Sequence, residues 1–140
     1  TGDGFILAMP QTVLTSTTEI AGNYSGLVFD KNQGSSSSDR IFPVSATITS
    51  TGTATATLTG SKMASVDTLG TGSEATISLS GLNNPSNGFM TGTITIGGNT
   101  GKLACMTKPN VADSGKNMVF CVSQSPSATT KHFNMLLVSR

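Results

Sequence analysis

Residues 43–60 alternate apolar and hydroxyl side chains with a period of two. Val44, Ala46 and Ile48 interleave with Ser45, Thr47 and Thr49. After Ser50-Thr51-Gly52, Ala54, Ala56 and Leu58 interleave with Thr53, Thr55, Thr57 and Thr59. A helix would scatter such a pattern around its circumference, whereas a strand sorts it onto two faces. The stretch therefore predicts a hairpin with one apolar face and one hydroxyl face.

The same grammar recurs along the chain. It predicts strands near 4–9, 22–30, 41–50, 53–60, 62–68, 74–80, 88–97, 102–107, 117–123 and 131–139. Polar or glycine-rich breaks separate them: KNQGSSSSDR, LGTGS, GLNNPSNG, GGNTG and NVADSGK. Only 11% of the residues are charged, against about 25% in an average domain, and those charges gather at the breaks and strand ends, where loops are solvated. Short connections join neighbouring strands. The predicted fold is all-β, an antiparallel meander of about ten strands. An up-and-down barrel is the first choice, because closure removes exposed edges; a two-sheet sandwich is the second. One domain spans 1–140, with 1–20 as an N-terminal strand plus linker and 21–140 as the main barrel. Ser16 to Glu19 has the spacing of a capping box and predicts at most one helical turn. The sequence begins at Thr1 without a methionine, as expected of a mature product after removal of a leader or of an excised fragment.

Cys105 and Cys121 are the only cysteines. They do not form Cys-x-x-Cys. Together with the single histidine, His132, they are too few for a zinc site of about four ligands, so no metal and no cofactor is expected. If the intervening loop centres near Asp113, Cys105 faces Cys121 across a hairpin, close enough for a disulfide. A disulfide implies an oxidising compartment, and the expected location is extracytoplasmic: secreted, periplasmic or cell surface. That register also pairs Met106 with Phe120 and Ala104 with Val122. Met106, Met118 and Phe120 are then expected to face inward, with the cystine, Leu103 and Val119 on an unusually apolar outer face.

Other strands also carry apolar residues on both faces. In 131–139, Phe133, Met135 and Leu137 oppose Leu136 and Val138; in 4–9, Phe5, Leu7 and Met9 oppose Ile6 and Ala8. A strand wet on one face does not read this way. A cover is expected, supplied by the chain itself or by another protein chain. The candidate interface is Phe5, Ile6, Leu7, Ala8, Leu103, Val119, Leu136 and Val138. In a closed meander the strand at 4–9 would neighbour the last strand, or would leave to complete the sheet of a second copy.

Evidence of chemistry is sparse. The acidic residues Asp3, Glu19, Asp30, Asp39, Asp67, Glu74 and Asp113 form no close pair on one strand face, so a two-carboxylate glycosidase lacks support. His132 lies at a strand end and no Gly-x-Ser-x-Gly accompanies it. A net charge of +1, one tyrosine and no tryptophan argue against nucleic-acid binding. No apolar run is long enough for a membrane span. The threonine rows 53–59 and 91–95 read as β-branched residues on a wet face. Asn23-Tyr24-Ser25 matches a glycosylation acceptor. Tyr24, Met90, Met106, Met118, Phe120, Phe133 and Met135 are the candidate lining of a cavity for a small apolar ligand.

Ala21-Gly22-Asn23-Tyr24-Ser25-Gly26 resembles the first strand of lipocalin-like secreted barrels, in which a glycine precedes an aromatic that plugs the barrel floor. Tyr24 stands where those proteins usually carry tryptophan. The resemblance implies a ligand cavity. Taken together, the residues predict a non-catalytic β-module with a structural or adhesive role at a cell surface or in a fibre, self-associating or bound to a protein partner. The alternative is a lipocalin-like carrier of a small apolar molecule.

Overall fold

The computed structural model describes residues 8, 10, 14–31, 40–52, 55–62, 76–86, 89–96, 99–111, 114–124 and 132–140. Within these lie eight strands: β1 Gly22–Lys31, β2 Arg40–Ser50, β3 Thr55–Lys62, β4 Thr76–Ser86, β5 Phe89–Ile96, β6 Asn99–Lys108, β7 Met118–Gln124 and β8 His132–Ser139. All neighbours pair antiparallel, and β1 pairs with β8, so the meander closes into an up-and-down barrel. The predicted strand at 4–9 and most of that at 62–68 lie outside the described residues.

The closure differs from the expectation in one respect. The last strand meets Gly22–Lys31, with Gly26 opposite Leu137 and Leu27 opposite Leu136, rather than the segment at 4–9. Each of the eight described strands therefore has two partners, and among the described residues the ring offers no vacant edge. Gly26 makes the seam possible. A Cβ at this position would lie 1.9 Å from the Leu136 carbonyl oxygen, so only glycine lets β1 approach β8 this closely.

The hairpin at 43–60 forms as predicted. Val44, Ala46, Ile48, Ala56 and Leu58 point into the core, while Thr47, Thr49 and Thr59 are exposed. Thr47 faces Thr59 and Ile48 faces Leu58 across the ladder. GLNNPSNG, read above as a break, is mostly strand. β4 continues through it to Ser86 by shifting register between Ser80 and Asn83. Gly81 adopts φ +76° at that irregularity, a conformation open to glycine, and Leu82 beyond it is buried.

The capping-box signal is borne out as a 3₁₀ turn, Thr17–Ile20. Ser16 Oγ accepts from the Thr18 N–H (3.2 Å), and Glu19 Oε1 accepts from the Ser16 N–H (3.0 Å). The turn closes one end of the barrel. Leu14, Thr17 and Ile20 are buried there, and Thr17 Oγ1 donates to the Gly52 carbonyl (2.6 Å) in the β2–β3 connection. Asn117, just before β7, donates its side-chain N–H to the Glu19 carbonyl (2.8 Å). The Tyr24 hydroxyl donates to the Ile20 carbonyl. The tyrosine is fully buried, with Ala46 opposite it and Gly60 beyond, so small neighbours leave room for the ring. Burial raises the Tyr24 pKa above its ordinary value, and the side chain of Asn117 partly opposes this.

Candidate functional site

Cys105 faces Cys121, Met106 faces Phe120 and Ala104 faces Val122, and Cys105 and Cys121 form a disulfide. The predicted register holds, but the predicted faces are reversed. Leu103, Cys105, Val119 and Cys121 belong to the interior core cluster, so Leu103 and Val119 are not part of an outer interface. Ala104 and Val122 are exposed, and Met106 and Met118 are half-buried on the outside. Phe120 is buried but stands outside the core cluster. Met106, Met118 and Phe120 therefore do not line a cavity. The signal that identifies the outer face is Lys102 and Lys108, which share the side of Ala104 and Met106 by alternation. A lysine turned into an apolar barrel would leave a charge without water.

Of the remaining cavity candidates, Tyr24, Met90 and Met135 do lie in the core. Phe133 is in β8 opposite Asp30, and its side chain lies outside the described residues. Leu136 and Val138 do face outward. Phe5, Ile6 and Leu7 lie outside the described residues, and Ala8 is exposed.

With the faces assigned, the exterior divides into two regions. One ladder row reads Phe89 (β5), Met106 (β6), Phe120 (β7), Leu136 (β8), Leu27 (β1) and Pro43 (β2), each residue the direct partner of the next. Met118 and Val138 form a second apolar pair beside it, and Ala104 and Val122 a third. A different row reads Asn23 (β1), Thr47 (β2), Thr59 (β3), Ser78 (β4), Thr95 (β5) and Thr100 (β6). It is polar at every position. Asn23 is exposed, and its side-chain oxygen accepts from Thr47 Oγ1 (2.9 Å).

The apolar region is incompletely covered. Leu27 is 53% exposed, Phe89 47%, and Val122 and Val138 38% each. Sequence reasoning missed Leu27, Phe89 and Val122. Phe89 stands alone among threonines on its face of β5, and only the barrel register brings Phe89 and Leu27 into one row with Met106, Phe120 and Leu136. Arg140 bounds this area on one side: its Nε donates to Ser25 Oγ (2.7 Å) and its Nη2 to Ser45 Oγ (2.6 Å).

Among the described residues no group of three or more His, Cys, Asp or Glu is placed to hold a metal ion. His132 pairs through its backbone with Lys31, and its side chain lies outside the described residues. Asp3, Asp39, Asp67, Glu74 and Asp113 are likewise outside them. Glu19 is engaged at the floor. Its carboxyl is held below the ordinary value chiefly by the Thr15 hydroxyl, with the Ser16 and Thr15 N–H groups adding to the effect against partial desolvation. The disulfide points to an oxidising environment, and among the described residues no helix is long and apolar enough to cross a membrane. Comparisons with protein-family models, curated proteins and solved structures give no match.

Proposed function

We propose that this chain is a non-catalytic, extracytoplasmic barrel module with a structural or adhesive role at a cell surface or in a fibre, and that it associates with further copies through its exterior. The observation that supports this is the apolar row from Phe89 to Leu27. An exterior patch of this kind on a barrel that is otherwise coated with hydroxyls is the usual mark of a protein-binding surface. Leaving a leucine or valine half in water forgoes about 1 kcal/mol per side chain, and burial against a second copy recovers it. Because the ring has no vacant edge, the association runs face to face and does not add a strand to the ladder. The disulfide supports an oxidising setting for the module, such as the periplasm, the cell surface or the outside of the cell.

Sedimentation of the oxidised full chain over a hundredfold concentration range tests this. A concentration-dependent rise in mass supports the reading, and a constant monomer mass removes it.

One observation favours a second reading. Tyr24 and the 3₁₀ turn close one end of an eight-stranded barrel whose interior includes Met90 and Met135, and barrels of this strand number hold at most one small ligand. A lipocalin-like carrier would take up an apolar fluorescent probe at one saturable site without a change in mass.

A further inference from the structure

Asn23-Tyr24-Ser25 has no part in the apolar wall. Of the chain's asparagines, only Asn23 is followed two positions on by serine or threonine with a residue other than proline between them; at Asn84 the intervening residue is Pro85. The strand gives this motif its geometry. On β1, alternation turns Tyr24 inward, where it is fully buried, and turns Asn23 and Ser25 outward, where both are exposed. Such neighbours on one strand face stand about 7 Å apart, so carboxamide and hydroxyl are presented together to the outside. Asn23 faces Thr47, and Thr47 faces Thr59; both threonines are exposed. A bulky polar group standing on Asn23 therefore has hydroxyls beneath it.

We infer that Asn23 is an N-glycosylation site, filled before the barrel closes. The donor is an oligosaccharide joined to a polyprenol through diphosphate. Asn23 Nδ2 bonds to the anomeric carbon of the sugar. The bond from that carbon to the diphosphate oxygen breaks, its electron pair staying on the oxygen. The amide gives up one proton, and the lipid diphosphate leaves as the second product. The motif belongs to the surfaces of secreted chains, and the Cys105–Cys121 bridge points to the same oxidising setting. In that one respect the inference rests on the extracytoplasmic reading above.

The order of events follows from the closed ring. In the folded barrel Asn23 Oδ1 accepts from Thr47 Oγ1 (2.9 Å), and Ser25 Oγ accepts from Arg140 Nε (2.7 Å). The Asn23 carbonyl accepts from the Arg140 N–H (2.9 Å). A strand held on both edges must break such bonds to bend into a transferase, and that opening costs free energy. The two Arg140 bonds come from the residue that follows β8, and β1 meets β8 only when the ring shuts. β1 is the first of the eight strands and β8 the last, so the motif stays accessible while the strands between them are made.

The sugar also sorts the two exteriors. Asn23 and Leu27 share the outward face of β1 but lie about 13 Å apart along it. A glycan on Asn23 solubilises the hydroxyl side and leaves the row from Phe89 to Leu27 open to further copies.

The test secretes the full chain from a host that supplies the lipid-linked donor and follows its intact and peptide masses. A glycan on the peptide carrying Asn23 is expected, lost in Asn23→Gln and in Ser25→Ala and kept in Ser25→Thr. An unmodified Asn23 in the secreted, bridged chain overturns the inference, and so does a glycan that survives Ser25→Ala. The order is read by offering unmodified chain to the transferase and its donor, once folded and oxidised and once reduced and unfolded. Modification of the unfolded chain alone is expected; equal modification of both overturns the claim that closure ends access. Sedimentation separates the inference from the proposed function. An unglycosylated barrel that assembles removes the inference and leaves the function, and a glycosylated strict monomer does the reverse.

Discussion

The two sides of the barrel wall are built from the same kind of strand and differ in what they show to water. On β2 to β5, inward Val44, Ile48, Leu58 and Leu79 are backed by outward Thr47, Thr59, Ser80 and Thr93. On β6 to β8 and β1, inward Leu103, Val119, Leu137 and Val28 are backed by outward Met106, Phe120, Leu136 and Leu27. Hydroxyl side chains satisfy water and leave the folded barrel inert on that side. The apolar side gains nothing for the fold by facing water, which is why it is the surface proposed above to bind further copies. The apolar side also carries the β1–β8 seam and the Cys105–Cys121 bridge.

That contrast can be broken in several ways. The largest effect is expected at the seam. Gly26→Ala places a methyl group against the Leu136 carbonyl and is expected to cost about 3 kcal/mol or more, read as a fall in the urea midpoint. If the midpoint is unchanged, β1 and β8 do not approach as described. Next is the bridge. Replacing both Cys105 and Cys121 with alanine removes a link between residues 16 apart and is expected to cost about 2–4 kcal/mol, measured by chemical denaturation against the oxidised parent.

Smaller effects sharpen the comparison of the two exteriors. Val138→Thr and Thr47→Val exchange an apolar for a hydroxyl side chain, and the reverse, at outward positions. Each is expected to move stability by no more than about 0.5 kcal/mol. Only Val138→Thr is expected to weaken self-association, seen as a lower weight-average mass at a fixed concentration. If Thr47→Val lowers it equally, the two sides are not distinct.

The smallest effects are those of pH, and both belong to the floor. Glu19 has its folded pKa below the ordinary 4.5. Its contribution is complete above that value and is lost as pH falls through the folded pKa. Tyr24 has its folded pKa above the ordinary 10.0. Its buried phenol keeps a proton that the unfolded chain releases, so stability is full below pH 10 and declines above it. Thermal midpoints taken across both windows check the two signs, with Glu19→Gln and Tyr24→Phe as controls.

Alternation made most of the barrel legible. At Val44 to Leu58, apolar and hydroxyl residues differ enough in hydration that the two faces can be assigned without a structure. In β6 and β7 both faces are apolar, and alternation then gives register without telling inside from outside. Lys102 and Lys108 held that information, as charges that tolerate only one face. β4 was cut short in the reading because GLNNPSNG has the composition of a loop; a register shift at Gly81 let the strand absorb it. The apolar row itself was not legible. Phe89 and Leu27 come from strands far apart in the chain, and they share a row only once the ring is closed. The Ser16–Glu19 signal succeeded because a capping box is local and needs no partner elsewhere.

The central claim is that the apolar wall is the working surface. It is tested most directly by sedimentation equilibrium of three oxidised proteins: the parent, a variant with Leu27→Ser, Phe89→Ser and Val138→Thr, and a variant with Thr47→Ser, Thr59→Ser and Thr93→Ser. The parent and the hydroxyl-side variant are predicted to assemble alike, and the apolar-side variant to remain monomeric with its barrel intact. Equal assembly by all three would contradict the account.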